Sequence, residues 1–238
     1  MPKLELGPAG FLPPSAASMG IFQPEMGSPN QLVQGEHVPE DKALEILAHE
    51  LLTRRNPTLF PGPMLVWGWN EETRKKAKLA LDMVKEVPGM NIIPMPDYRP
   101  IYPKIDPEAV INPCHPNLTI QHNKIEVCAL IGVHCHFANI TLKMIRANTN
   151  CYTMAWCAYD GHEDALLSIR DLDSAKLIKI TEAIKKAKNS ITPWALTSEG
   201  KEELEETAAR KEKLKAQSKE DATLFMGELH QGLDENQE

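Results

Sequence analysis

Residues 127–173 constrain the fold more than any other stretch of this chain. Val127–Ile131 is a continuous apolar run closed by Gly132, and such a run fits a strand covered on both faces, as in a parallel sheet. The period then changes: Phe137, Ile140, Thr141, Met144 and Ile145 recur at helical spacing. After the turn-like Ala147-Asn148-Thr149-Asn150, residues 151–157 (CYTMAWC) are rich in β-formers. Strand, glycine turn, helix and strand in that order predict a crossover between parallel strands.

The flanks extend the same alternation. Leu44, Leu47, Ala48, Leu51 and Leu52 make an apolar stripe over residues 41–55, with Arg54 and Arg55 at the end that favours cations. Pro61-Gly62-Pro63 interrupts the chain, and residues 64–67 read as a short buried strand ending at Gly68. Asn70 is a good N-cap for a helix with Glu71 and Glu72 in its first turn and Ala77, Ala80, Leu81, Val84 and Val87 on its inward face. Residues 90–93 suit a further strand, the seven prolines between Pro94 and Pro116 predict a long irregular loop, and Asp173 can cap a helix presenting Leu177, Ile180, Thr181 and Ile184. The sum is an α/β chain with an open, doubly wound, mostly parallel sheet over residues 39–192.

The two ends differ from this body. Residues 1–39 hold seven of the nineteen prolines, with Leu4, Leu6, Phe11, Met19, Ile21, Phe22 and Met26 scattered without period. Proline at that density opposes regular helix, and the many apolar side chains set residues 1–38 apart from an ordinary disordered leader; they predict an extended arm docked on another surface. Residues 193–238 predict a charged helical tail, in which Glu202, Glu203, Glu205 and Glu206 precede Arg210, Lys211, Lys213 and Lys215, and Leu224, Phe225, Met226 and Leu229 offer an anchor. Residues 197–238 carry a net charge of −6 out of −7 for the whole chain. The near-neutral remainder gives no footprint for nucleic acid. No apolar run reaches the roughly 20 residues of a membrane span, and no basic flank precedes a hydrophobic leader, so a cytoplasmic protein with reduced thiols is expected.

Several chemistries can be weighed against the motifs. His134-Cys135-His136, with Cys128, Cys151 and Cys157 nearby, has the residue types of a metal cluster but no C-x-x-C pair. Cys151 and Cys157, six apart in a strand, lie roughly 20 Å from end to end. Spacing therefore predicts no bound metal, with the cysteines packing as small hydrophobes and the histidines capping or bonding backbone. Cys114-His115 in the proline-rich loop is a candidate exposed thiol of low specificity. Gly68 and Gly132 each follow a strand signal but neither belongs to G-x-G-x-x-G, no Walker lysine follows, and no G-x-S-x-G elbow or catalytic carboxylate pair is present.

The central stretch nevertheless carries specific motifs: G-V-H-C-H with Asn139, from Gly132; T-x-C-Y-T from Thr149; and G-H-E-D-A with S-x-R-D-L, from Gly161 and Ser168. These resemble the family of carbon monoxide dehydrogenase beta and acetyl-CoA synthase epsilon subunits, over roughly residues 61–188. The resemblance implies a Rossmann-like fold of the kind that binds NAD or FAD. It implies an accessory subunit with no catalytic residue of its own, and the expected complex is a multi-subunit 2-oxoacid:ferredoxin oxidoreductase of the pyruvate or 2-oxoglutarate synthase type, in which similar chains also occur. Thiamine diphosphate and iron–sulfur clusters would then reside on larger partner subunits, with ferredoxin reached through the complex and no cofactor on this chain. On this reading His134, Cys135, His136, Asn139, Tyr152, His162, Glu163 and Arg170 shape a surface at the strand ends and its partner contacts. An epsilon-type role in carbon monoxide dehydrogenase/acetyl-CoA synthase is the first alternative, and a flavin- or nucleotide-binding electron-transfer protein the second.

Overall fold

The computed structural model describes Leu4, residues 12–95, Ile111 and residues 115–213. Two compact units are distinguished, Met1–Leu196 and Thr197–Glu238.

The first unit is built on a seven-stranded sheet. In chain order its elements are β1 (Asn30–Val33), β2 (Glu36–Pro39), α1 (Glu40–Thr53), β3 (Thr58–Pro61), α2 (Pro63–Val66), α3 (Glu71–Glu86), β4 (Asn91–Ile92), α4 (Pro116–His122), β5 (Val127–Ile131), α5 (Cys135–Asn148), β6 (Tyr152–Trp156), β7 (Leu167–Ile169) and α6 (Ser174–Ala187). The spatial order is β2-β1-β7-β6-β5-β3-β4. Strands β4, β3, β5, β6 and β7 run parallel, while β1 pairs antiparallel with both β2 and β7. The parallel core is thus extended at one edge by an antiparallel hairpin.

Alternation along the central strands divides the core into two faces. Val127, Ala129 and Ile131 pack with Leu47 and Leu51 of α1, Met83 of α3 and Ile180 of α6. Cys128 and Leu130 point the other way, to Ile120 of α4 and Leu142 and Ile145 of α5. Every residue of β5 and β6 is buried, which is why both read as unbroken apolar runs. Polar side chains cap α3 and α6: Asn70 Oδ1 accepts from the Thr73 N–H at 2.8 Å and Asp173 Oδ1 from the Lys176 N–H at 2.7 Å.

Three expectations change. Residues 64–67 are not a strand: Pro63 stands at the first helical position of α2, where its fixed φ and missing N–H suit a helix start, and the strand precedes it as Thr58–Pro61. On α3 the buried residues are Ala80 and Met83, and Leu81 is exposed. Much of the described part of residues 1–38 packs on the chain's own domain, since β1 lies beside β7 and Leu4, Ala16, Ile21 and Leu32 are in the core, while Phe22 and Met26 are exposed. Leu6 and Phe11 lie outside the described residues, as do most of the proline-rich loop, Cys114, and tail residues 214–238. In the second unit residues 198–213 are helical, and Thr197 Oγ1 accepts from the Gly200 N–H at 3.1 Å. Among the described residues no helix is long and apolar enough to cross a membrane.

Candidate functional site

The order of the parallel strands reverses between β3 and β5, and crevices of open α/β sheets form at the carboxyl ends of such a pair. Here the two turns touch. The Gly62 N–H donates to Ile131 O at 2.8 Å and the Met64 N–H to Gly132 O at 3.1 Å. A Cβ on Gly62 would lie 2.3 Å from Gly132 O and 2.7 Å from Val133 Cα. Main chain of the two turns is therefore in direct contact at this junction. Replacing Gly62 with Ala is expected to cost more than about 3 kcal/mol in chemical denaturation, because every clashing atom is main chain and no rotamer relieves it.

One strand further along, the carboxyl ends of β5 and β6 do bring chemistry together. Cys135 is the first residue of α5, Cys157 follows the last residue of β6, and His162 lies in the loop leading to β7. Their ligating atoms all fall within 4.8 Å of one another, and they form the one such three-residue cluster among the described residues. Cys157 and His162 are buried and Cys135 is exposed, so the cluster opens to solvent on one side. The Tyr159 N–H donates to Cys157 Sγ at 3.4 Å. His162 Nδ1 lies 3.3 Å from Asn139 Oδ1, an acceptor that favours the tautomer protonated at Nδ1 with the lone pair on Nε2. Burial holds the His162 pKa down at about 4, so the ring is neutral near pH 7. Burial, and secondarily the neighbouring Cys157, pushes the Cys135 thiol up.

The loop carrying His162 is unusual in itself. Residues 157–166 join two neighbouring parallel strands without a helix, where a helical crossover is the rule. The G-H-E-D motif makes this possible. Gly161 adopts φ +83°, and a Cβ there would meet Ser168 Oγ at 2.6 Å. The His162 N–H donates to that same hydroxyl at 2.9 Å. Asp164 forms a buried ion pair with Arg146 of α5 at 2.8 Å and accepts the Ala16 N–H at 3.1 Å. Arg170, also buried, donates its guanidinium to Pro24 O and to Asp171 Oδ2, and its N–H to Gln31 Oε1. The motif residues thus fasten residues 14–31 to the sheet.

The other residues singled out in the sequence separate into two places. His134 occupies the N-cap position of α5 without a side-chain capping bond, and its ring stacks against His136 at 6.1 Å. Both are exposed beside Cys135. Burial raises the pKa of Glu163, which is half-buried in the same loop. Tyr152 is elsewhere: it begins β6, at the opposite end of the sheet, with the Arg54 guanidinium 5.0 Å from its ring centroid. Cys157 comes beside the first turn of α5 only through the parallel pairing of β5 with β6, a proximity that spacing along the chain does not carry. The sole trace in sequence is Cys157 five residues before His162.

A family model described as CO dehydrogenase beta subunit/acetyl-CoA synthase epsilon subunit matches residues 23–184. The chain belongs to this family. The match runs from the segment preceding β1 into α6, so it takes in the edge hairpin as well as the parallel core and includes Cys135, Cys157 and His162. No curated protein matches the chain.

Proposed function

We propose that this chain is an accessory subunit, without an active site of its own, of a multi-subunit complex of the CO dehydrogenase/acetyl-CoA synthase kind. The family match across the sheet domain carries the reading, since the family is defined by beta and epsilon subunits. The surface supports it. Trp67 and Trp69, between α2 and α3, are 70% and 71% exposed with ring centroids 6.2 Å apart. Two large aromatic rings in water on one turn suit the anchor of a protein interface. Metal clusters and the redox chemistry of the complex would then sit on the larger subunits.

Affinity purification of the tagged full-length chain from its native cells tests this. Large CO dehydrogenase or acetyl-CoA synthase subunits are expected in stoichiometric amount, and changing Trp67 and Trp69 to Ala should weaken the association more than tenfold. Recovery instead with thiamine diphosphate-dependent chains would assign it to a 2-oxoacid:ferredoxin oxidoreductase. A chain that purifies alone and carries a flavin absorption band would replace the accessory role with electron transfer.

A further inference from the structure

We propose that Cys135, Cys157 and His162 form a binding site for one zinc(II) ion, with three protein ligands and a fourth position open to solvent. Two sulfurs and one imidazole are the donor set that zinc takes in tetrahedral sites. Zn–S and Zn–N bonds of about 2.3 and 2.0 Å place such ligand atoms about 3.5–3.8 Å apart in a tetrahedron. The three atoms here already lie within 4.8 Å of one another, so closing on a cation takes side-chain shifts of about 1 Å or less and no backbone rearrangement. Each ligand comes from a different rigid element or from its edge: the first turn of α5, the end of β6, and the loop pinned through Gly161 and Ser168.

Two further contacts are those that zinc sites use around their ligands. Asn139 Oδ1 holds His162 Nδ1 and so orients the ring with Nε2 available, and the Tyr159 N–H points at Cys157 Sγ. On binding, both thiols release their protons, and two thiolates with one dication sum to zero charge. Cys135 is the exposed member and provides the entry path. The open fourth position would accept water or a side chain supplied by another subunit.

The test uses the full-length, reduced chain without partners, so its outcome is independent of the complex to which the chain belongs. Zinc(II) alone is titrated with release of a chromophoric chelator as readout, and cobalt(II) alone is added to look for thiolate-to-metal charge-transfer absorption. One equivalent per chain and a charge-transfer band are expected. Cys135→Ser, at an exposed position, should keep the wild-type circular dichroism and lose the band. Asn139→Ala should bind roughly 10–100-fold more weakly while retaining all three ligands. A folded, reduced wild type that binds neither ion overturns the proposal. So does unchanged affinity in Cys135→Ser, which would mark adventitious binding, or a Cys135–Cys157 disulfide as the only reaction of the pair.

Discussion

A chain shortened to begin at Val38 should not reach a cooperative native state. Leu4, Ile21, Leu32 and Val33 are all buried, each less than 8% exposed, and transfer free energies of roughly 1.5–3 kcal/mol apiece give a gross contribution of about 6–12 kcal/mol. Ordering the segment offsets part of that, but whole-domain stability is only about 5–15 kcal/mol. The deletion also removes polar partners from buried groups: Asp164 loses the Ala16 N–H, the Arg170 N–H loses Gln31, and its guanidinium loses Pro24 O. It uncovers β7 as a raw sheet edge, which invites intermolecular pairing. Thermal melting followed by circular dichroism should show no sharp transition, and size exclusion should show aggregates. A truncated chain melting within a few degrees of the full chain would mean that the segment contributes little.

That expectation reverses the one suggested by composition. Seven prolines in 39 residues rule out a long helix but not four-residue strands, and β1 and β2 are four residues each. Strands that short carry no usable period, and neither does the three-residue β7. The apolar side chains of the segment were a valid sign that it docks. What composition cannot show is that the surface belongs to the same chain, because the receiving groups, Asp164 and Arg170, are more than a hundred residues away.

Legibility elsewhere followed the same physics. Helices α1, α3, α5 and α6 and strands β5 and β6 announce themselves through period, caps and continuous burial, all local properties. Residues 64–67 misled because a four-residue apolar run fits a strand or a buried turn of helix equally well, and Pro63 decides it. At the site, Cys135, Asn139 and His162 were recognisable as residue types, and their motif gave the family. Their convergence with Cys157 was not recognisable, since it depends on which strand lies beside which. A search for ligand pairs a few residues apart finds zinc fingers and passes over sites assembled at strand ends.

Removing the Asp164 carboxylate alone should cost about 3–5 kcal/mol, because it strands a buried guanidinium. Both side chains of the pair are only 6–7% exposed, and the 2.8 Å contact ties α5 to the helix-free loop. Asp164→Ala should therefore be the most damaging single change in that loop, and added salt should not moderate the loss since the pair is shielded from solvent ions. The double variant Arg146→Met with Asp164→Ala is the decisive comparison. Without the charge to satisfy, the Met side chain can pack where the Arg stem lay, and the double variant should be more stable than Asp164→Ala by at least about 1.5 kcal/mol. Recovery should stay incomplete, because the Ala16 N–H loses its acceptor in both, at roughly 1–3 kcal/mol for an unsatisfied buried group. Additive losses in the double-mutant cycle, measured by urea denaturation, would show that the two charges contribute independently and that the loop is held by its glycine and serine contacts instead.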